Sequence, residues 1–292
     1  MISFPIRSRI KQLTGKYHKL RQGKDSLLRL ISEAEIAESV YNSNAIENST
    51  LTLAETEKIL LEMEVSRNIS LREVFEAKNL ARVMEYIQIK SLEKEISQDL
   101  ILLLHKMLLG NINDKIAGRF RRPTEYVRIG TFIATAPEHI KRKIEQILID
   151  YYSDHEVYFV EKIAKFHLGF ETIHPFVDGN GRIGRLLINY QLQNLGFPII
   201  IIRDKEKQVY YKGFKKYRDD NKTIIMDTII ARALMESLHK RIAYLQGRTI
   251  ISLSEYAKKE QKSLPALLNQ AKRQTLSAFR EKGVWKISTN GI

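Results

Sequence analysis

The sequence predicts a mostly α-helical fold, and three observations predict it. Glycine and proline are scarce, at 14 and 6 of 292 residues. Apolar residues recur at spacings of three and four from residue 24 to residue 245, the period of helices with one buried face. Only two stretches, 125–137 and 276–287, carry the β-branched and aromatic enrichment of paired strands.

The elements follow in order. Residues 1–23 are basic and weakly patterned and read as a lead-in segment with no assigned structure. Residues 24–46 are a helix, with Leu27, Leu28, Ile31, Ala34 and Val40 on its apolar face and Asn48 as a C-cap. Thr52 followed by Glu55 is a capping box opening a helix over 53–63, and Ser70 with Glu73 opens another near 71–91. The helix 97–109 is apolar nearly all round and therefore buried, and His105 within it reads as structural. Residues 125–137 form a hairpin about Gly130, and 138–153 an amphipathic helix. A helix from 159 ends near His174, because Pro175 disfavours the helical region for the residue before it. A second helix runs from about 183 to 196. Residues 199–202 are a buried extended piece or a helix lead-in, 205–217 a basic, Tyr-rich helix, and 224–245 a long closing helix.

From Gly247 the style changes. Residues 247–292 hold nine Lys or Arg against three Asp or Glu. Ser254 caps a short helix, Ser263 and Pro265 open a second, and 276–287 reads as a ribbon about Gly283.

Composition narrows the function. Zero cysteines exclude disulfides, thiol catalysis and Cys-ligated metal. No apolar run approaches the ~20 residues of a membrane span, and the first residues lack a signal-peptide core, so the expected compartment is the cytoplasm with no membrane partner. A net charge of +14 attracts nucleotides, nucleic acid or acidic surfaces.

The loop 174–185 concentrates the chemistry. Gly179 and Gly181 permit positive φ, so successive N–H groups can form an anion nest. The following helix adds its free N–H groups and positive dipole end. Arg182 and Arg185 lie three apart on one face, Asn180 offers an amide, and Asp178 is a hard oxygen ligand suited to Mg²⁺. His174, mostly neutral at pH 7, can accept a proton. The set suits nucleotidyl or phosphoryl transfer.

The run His174-Pro175-Phe176-Val177-Asp178-Gly179-Asn180-Gly181-Arg182-Ile183-Gly184-Arg185 resembles the full signature of Fic-domain proteins, mostly AMP-transferases, without departure. The resemblance covers roughly residues 30–245 and implies a Fic helical core with a β-hairpin flap. It implies that His174 deprotonates the target hydroxyl, and that Phe176 anchors the loop. Asp178 then holds Mg²⁺ between the α- and β-phosphates of ATP, Gly179, Asn180, Gly181 and Arg182 bind phosphates, and Arg185 reaches the γ-phosphate. Related Doc kinases carry Lys where this chain has Gly181, so Gly181 favours AMP transfer over phosphorylation.

Ser43-Asn44-Ala45-Ile46-Glu47-Asn48 matches the family's inhibitory motif, placed before the Fic loop as in class II members. Ser43, Glu47 and Asn48 are then inhibitory, with Glu47 competing against the γ-phosphate for Arg185. The hairpin resembles the Fic flap, which holds a protein target by strand addition, with Val127, Arg128, Ile129 and Gly130 nearest the nucleotide. Tyr210, Tyr211 and Arg218 fall near the adenine by the same resemblance, although the aromatics serve equally as a core stripe. The tail is similar to a winged helix-turn-helix, which leaves DNA binding, target recruitment and dimer support open.

The expected organisation is an N-terminal helical region 1–110 with the inhibitory helix at about 24–48, a catalytic core 111–246, and a winged-helix-like domain 247–292. Automodification and a homodimer are further expectations. Two alternatives to AMP addition stay open: removal of AMP, and a DNA-binding regulator whose Fic core senses nucleotide.

Overall fold

A computed structural model of the chain describes residues 1–65, 68–92 and 95–289. In chain order the helices are α1 (Phe4–Arg21), α2 (Asp25–Ile46), α3 (Leu53–Glu57) continued by a π-helical turn Lys58–Glu62, α4 (Leu71–Lys90) and α5 (Gln98–Leu109). Then come α6 (Ile140–Ser153), α7 (Phe159–Ile173), α8 (Asn180–Asn194), α9 (Lys207–Asp220), α10 (Ile224–Leu245), α11 (Leu253–Lys259) and α12 (Leu264–Arg273). The strands are β1 (Arg128–Ile129), β2 (Phe132–Ile133), β3 (Thr249–Ser252), β4 (Ala278–Glu281) and β5 (Val284–Thr289). The fold is mostly helical, as the sequence predicts. No helix among the described residues is long and apolar enough to cross a membrane.

The residues group into two compact units. The larger comprises 36–197 and 201–227, with Met1. Its centre is the pair α7 and α8, against which α6, α9, α4 and α5 pack. Ile163, Phe170, Phe176, Ile183 and Tyr190 are fully buried there. Local signals set the helix starts. Thr52 and Glu55 form the complete capping box, and Ser70 and Ser97 accept N–H groups of Glu73 and Leu100. The hairpin is short: Arg128 pairs with Ile133 and Ile129 with Phe132, about Gly130 at φ 60°.

The smaller unit comprises 2–35, 198–200 and 228–292. Its sheet has the order β3-β5-β4, antiparallel throughout. Leu253, Ala257, Leu267, Ala271, Ala278 and Ile287 form a core beneath it.

Two expectations need correction here. The lead-in 1–23 is a helix: Ile6, Ile10, Leu13, Tyr17 and Leu20 alternate at four and three, and Ile10 and Tyr17 are buried. Its many cations masked that stripe. In the tail, Ser252 rather than Ser254 caps α11, through a full capping box with Glu255, and residues before it form the third strand β3. The last three residues of 247–292 lie outside the described ones.

Candidate active site

Pro175 terminates α7, and His174 closes it in the left-handed region at φ 50° and ψ 61°. The loop that follows is braced from inside. Phe176 is fully buried, with its ring stacked 3.6 Å from His105. His105 Nδ1 accepts the Gly118 N–H at 3.0 Å, which leaves Nε2 to donate to Asp178 O at 3.0 Å. Asn180 Nδ2 donates to Phe176 O and its Oδ1 accepts the Phe176 N–H, both at 2.9 Å. The Asn180 amide is thus committed to the loop, and its main-chain N–H is what remains for a ligand.

Gly179, at φ 85°, is the N-cap of α8, and a Cβ there would press on Leu109. The first helical bond is Ile183 N–H to Gly179 O. The N–H groups of Asn180, Gly181 and Arg182 therefore have no partner within the helix and form an anion cradle at its positive end.

His174 is neutral at pH 7: burial, reinforced by the Arg121 cation, pushes its pKa down to about 4. Its Nδ1 stands 3.9 Å from Glu171 Oε2. Burial, together with the like negative charge of Glu47, pushes the Glu171 carboxyl up to about 8, against the pull of Arg185. Asp178 is ionised. Burial alone would raise its pKa, but Arg182, Arg72 and the Gly179 N–H hold it below the usual range. Arg72 Nη2 reaches Asp178 Oδ2 at 2.6 Å and Arg182 Nη2 reaches Oδ1 at 3.1 Å. Glu76 bridges the same two arginines, at 3.1 Å to each.

Arg185 is held through Nε and Nη2. Its Nε donates to Ser43 Oγ at 3.0 Å, and its Nη2 donates to Ser43 O at 2.8 Å and to Glu47 Oε1 at 2.9 Å. Its guanidinium lies 5.9 Å over the Tyr210 ring. Glu47 also fills the mouth of the cradle, since a Cβ on Gly181 would collide with its carboxylate.

Residues 95–192 match the Fic/DOC family. The chain carries a domain of that family. It is 33% identical over 208 residues to protein adenylyltransferase fic-1 of Caenorhabditis elegans, covering 69% of this chain and 40% of that protein. It is 31% identical over 210 residues to protein adenylyltransferase Fic of Nematostella vectensis, covering 70% of this chain and 48% of the other. The chain thus spans less than half the length of these curated relatives. Among solved structures, a Fic domain containing signaling protein from Bacteroides thetaiotaomicron is similar at TM-score 0.75 and 27% identity, with 82% of this chain and 98% of that one covered. A fragment of Fic-1 from Caenorhabditis elegans is similar at TM-score 0.69 and 27% identity, with 81% of this chain and 71% of that one covered.

Within this Fic site, the sequence-predicted residues converge unevenly. His174, Asp178–Arg182, Arg185, Ser43 and Glu47 surround one point. Asn48, at φ 68°, follows Glu47 beyond the end of α2 and accepts from Lys207 Nζ at 2.7 Å. Tyr210 is buried and its hydroxyl meets His167 Nε2 at 2.8 Å, whereas Tyr211 donates to Ile46 O at 3.1 Å. Tyr210 thus lines the seat of Arg185, and Tyr211 holds the end of α2. Arg218 lies 5.1 Å over the ring of Phe132 on the hairpin. Val127 O accepts the Ala134 N–H at 3.0 Å, and Arg128 Nε donates to Gly130 O at 2.7 Å.

Sequence reasoning missed Arg72, Glu76, Arg121, His167 and Glu171. Glu171 and His167 had a signal: both lie on α7 within seven residues of His174, and a Cβ on Gly184 would collide with both. Arg72, Glu76 and Arg121 lie far off in sequence among other charges and carried none.

Proposed function

We propose that the chain is a protein adenylyltransferase: it transfers AMP from ATP to a Ser, Thr or Tyr hydroxyl of a protein and releases pyrophosphate. One observation carries the reading: a neutral, half-buried His174 stands at one end of the loop whose other end is the cradle of Asn180, Gly181 and Arg182 N–H groups. The names of the relatives agree with it. In this scheme Nδ1 of His174 turns to Glu171, and Nε2 takes the hydroxyl proton. The hydroxyl oxygen bonds to the α-phosphorus as the bond to the β-phosphate oxygen breaks. The cradle and Arg182 stabilise the phosphate charge.

Asp178 fits Mg²⁺. Its carboxylate is ionised and stands beside a phosphate cradle, and Mg²⁺ uses one or two carboxylates with substrate phosphates. When bound, the ion neutralises phosphate charge; Asp178 exchanges a contact with Arg72 or Arg182 for it.

The same reading includes autoinhibition. Glu47 occupies Arg185 and the space over Gly181, so the γ-phosphate and the Glu47 carboxylate exclude each other. The target lies along the hairpin 125–137, whose two-residue strands leave a free edge for pairing. The segment 247–292, with two helices between β3 and the β4–β5 ribbon and a basic balance, is read as a winged-helix-like module able to meet an acidic partner, DNA included. The expected compartment is the cytoplasm.

Mass spectrometry of protein incubated with ATP tests the activity. AMP on a hydroxyl side chain, lost in His174→Ala, is the expected result. Phosphate on the same side chain makes the protein a kinase instead.

A further inference from the structure

Four main-chain carbonyls converge on the guanidinium of Arg121. Nε donates to His174 O at 2.9 Å and Nη1 to Glu125 O at 2.9 Å. Nη2 donates to Thr135 O at 2.6 Å and to Ile173 O at 3.3 Å. The Arg121 N–H adds Pro175 O at 2.9 Å. The residue is 4% exposed, a burial that a cation tolerates only with such a set of acceptors. The Glu125 carboxylate is taken by both Nη groups of Arg119, at 2.7 and 2.8 Å.

The four carbonyls belong to two different surfaces. Ile173 O and His174 O are orphans at the end of α7. Glu125 O and Thr135 O are the two stems of the hairpin, one on each side of β1–β2. None of the five carbonyls bound by Arg121 belongs to Asn180, Gly181 or Arg182, the residues of the nucleotide cradle.

We propose that Arg121 is a positioning residue that fixes the height of the hairpin above His174, and so the register between an acceptor hydroxyl and its base. The proposal rests on the adenylyltransferase reading. It predicts a separation of effects: acceptor handling depends on Arg121, and nucleotide binding does not. Lysine cannot replace it fully, because one ammonium cannot hold a fork of carbonyls on two surfaces.

The chain has no cysteine, so spin labels on Thr131→Cys and Lys165→Cys report the distance from the hairpin tip to α7. Thr131 and Lys165 are both exposed. The expected result is one narrow distance distribution in the labelled parent and a displaced or broadened one in Arg121→Gln, with ATP affinity within about twofold of the parent. In parallel, Glu47→Gly enzyme is given the His174→Ala chain as acceptor. Arg121→Gln should lower kcat/KM for the acceptor by up to about 100-fold, the scale of an ~1 Å misplacement, while KM for ATP holds and Arg121→Lys restores part of the loss.

An unchanged distance distribution overturns the proposal. So does a loss of ATP affinity equal to the loss of acceptor turnover, which makes Arg121 a general structural prop. Absence of AMP on the acceptor with the Glu47→Gly parent counts against the adenylyltransferase reading, and the distance measurement still judges Arg121.

Discussion

Glu47 Oε1 accepts from Arg185 Nη2 at 2.9 Å while the same carboxylate lies over Gly181, at the first turn of α8. One side chain thus takes the Arg185 cation and stands against the first turn of α8. The segment around Glu47 is tied down by Tyr211 on Ile46, Lys207 on Asn48 and Arg185 on Ser43.

The two inhibitory groups should differ in weight. Glu47→Gly removes a charge-assisted contact worth roughly 1.5–3 kcal/mol and raises AMP transfer about 10- to 100-fold. Ser43→Ala removes only the Oγ acceptor and leaves Ser43 O in place, so activation is smaller. Initial rates with α-labelled ATP check the order. Equal activation by both would show that the seryl hydroxyl holds Arg185 as firmly as the carboxylate does.

Four histidines, three of them buried and His174 half-buried, are neutral at pH 7: His105, His174 and His239 are pushed down to about 4 and His167 to about 3, mainly by loss of solvent. Their unfolded counterparts take up a proton near pH ~6.5. The unfolded chain therefore binds more protons below that point, and stability falls as pH drops from about 6.5 to about 4. Melting midpoints at pH 7, 6, 5 and 4 should decline through this window.

Glu171 works in the opposite direction. Its folded pKa, about 8, is raised above the unfolded value, so its stabilising contribution is full below about 4.5 and lost as pH rises through about 8. Glu171→Gln removes this dependence. The variant should match the parent at pH 5 and melt higher than it at pH 8 to 9.

How much of this was legible depends on whether a residue's partners are local. The caps Thr52, Ser70 and Ser97 bond within three residues, so the helices they open were readable. The loop 174–185 is a contiguous motif and was readable for the same reason. Arg121 was not: its partners lie 4 to 53 residues away, and beside Arg119 and Arg122 nothing marks it as the buried one. The Asn180 amide was misjudged in emphasis, because its partner is a main-chain group that appears only once the loop turns. Helix α1 was legible and overlooked, its apolar stripe outnumbered by lysines and arginines.

Asp178 gives a metal prediction. Arg72, whose side chain is 59% exposed, occupies Oδ2 of the carboxylate. Arg72→Gln should raise Mn²⁺ affinity in the presence of ATP by about threefold or more, and Asp178→Asn should abolish tight binding. Electron paramagnetic resonance of free Mn²⁺ reads both without turnover. Unchanged affinity in Asp178→Asn would remove this residue as the ligand.

Phe176 anchors the loop from a fully buried position against His105, Phe120 and Phe170. Phe176→Ala should cost about 3–5 kcal/mol of stability and release the loop, seen as a lower denaturation midpoint together with lost ATP affinity. A stable variant with intact affinity would show that the Asn180 bridge alone holds the loop.

The central claim is AMP transfer under restraint by Glu47. The most direct measurement gives wild type, Glu47→Gly and His174→Ala ATP labelled at the α-phosphate and, separately, at the γ-phosphate, and follows label on protein. The account predicts α-label in Glu47→Gly, little in wild type and none in His174→Ala, with no γ-label in any. Label from the γ-phosphate, or α-label that persists in His174→Ala, would contradict it.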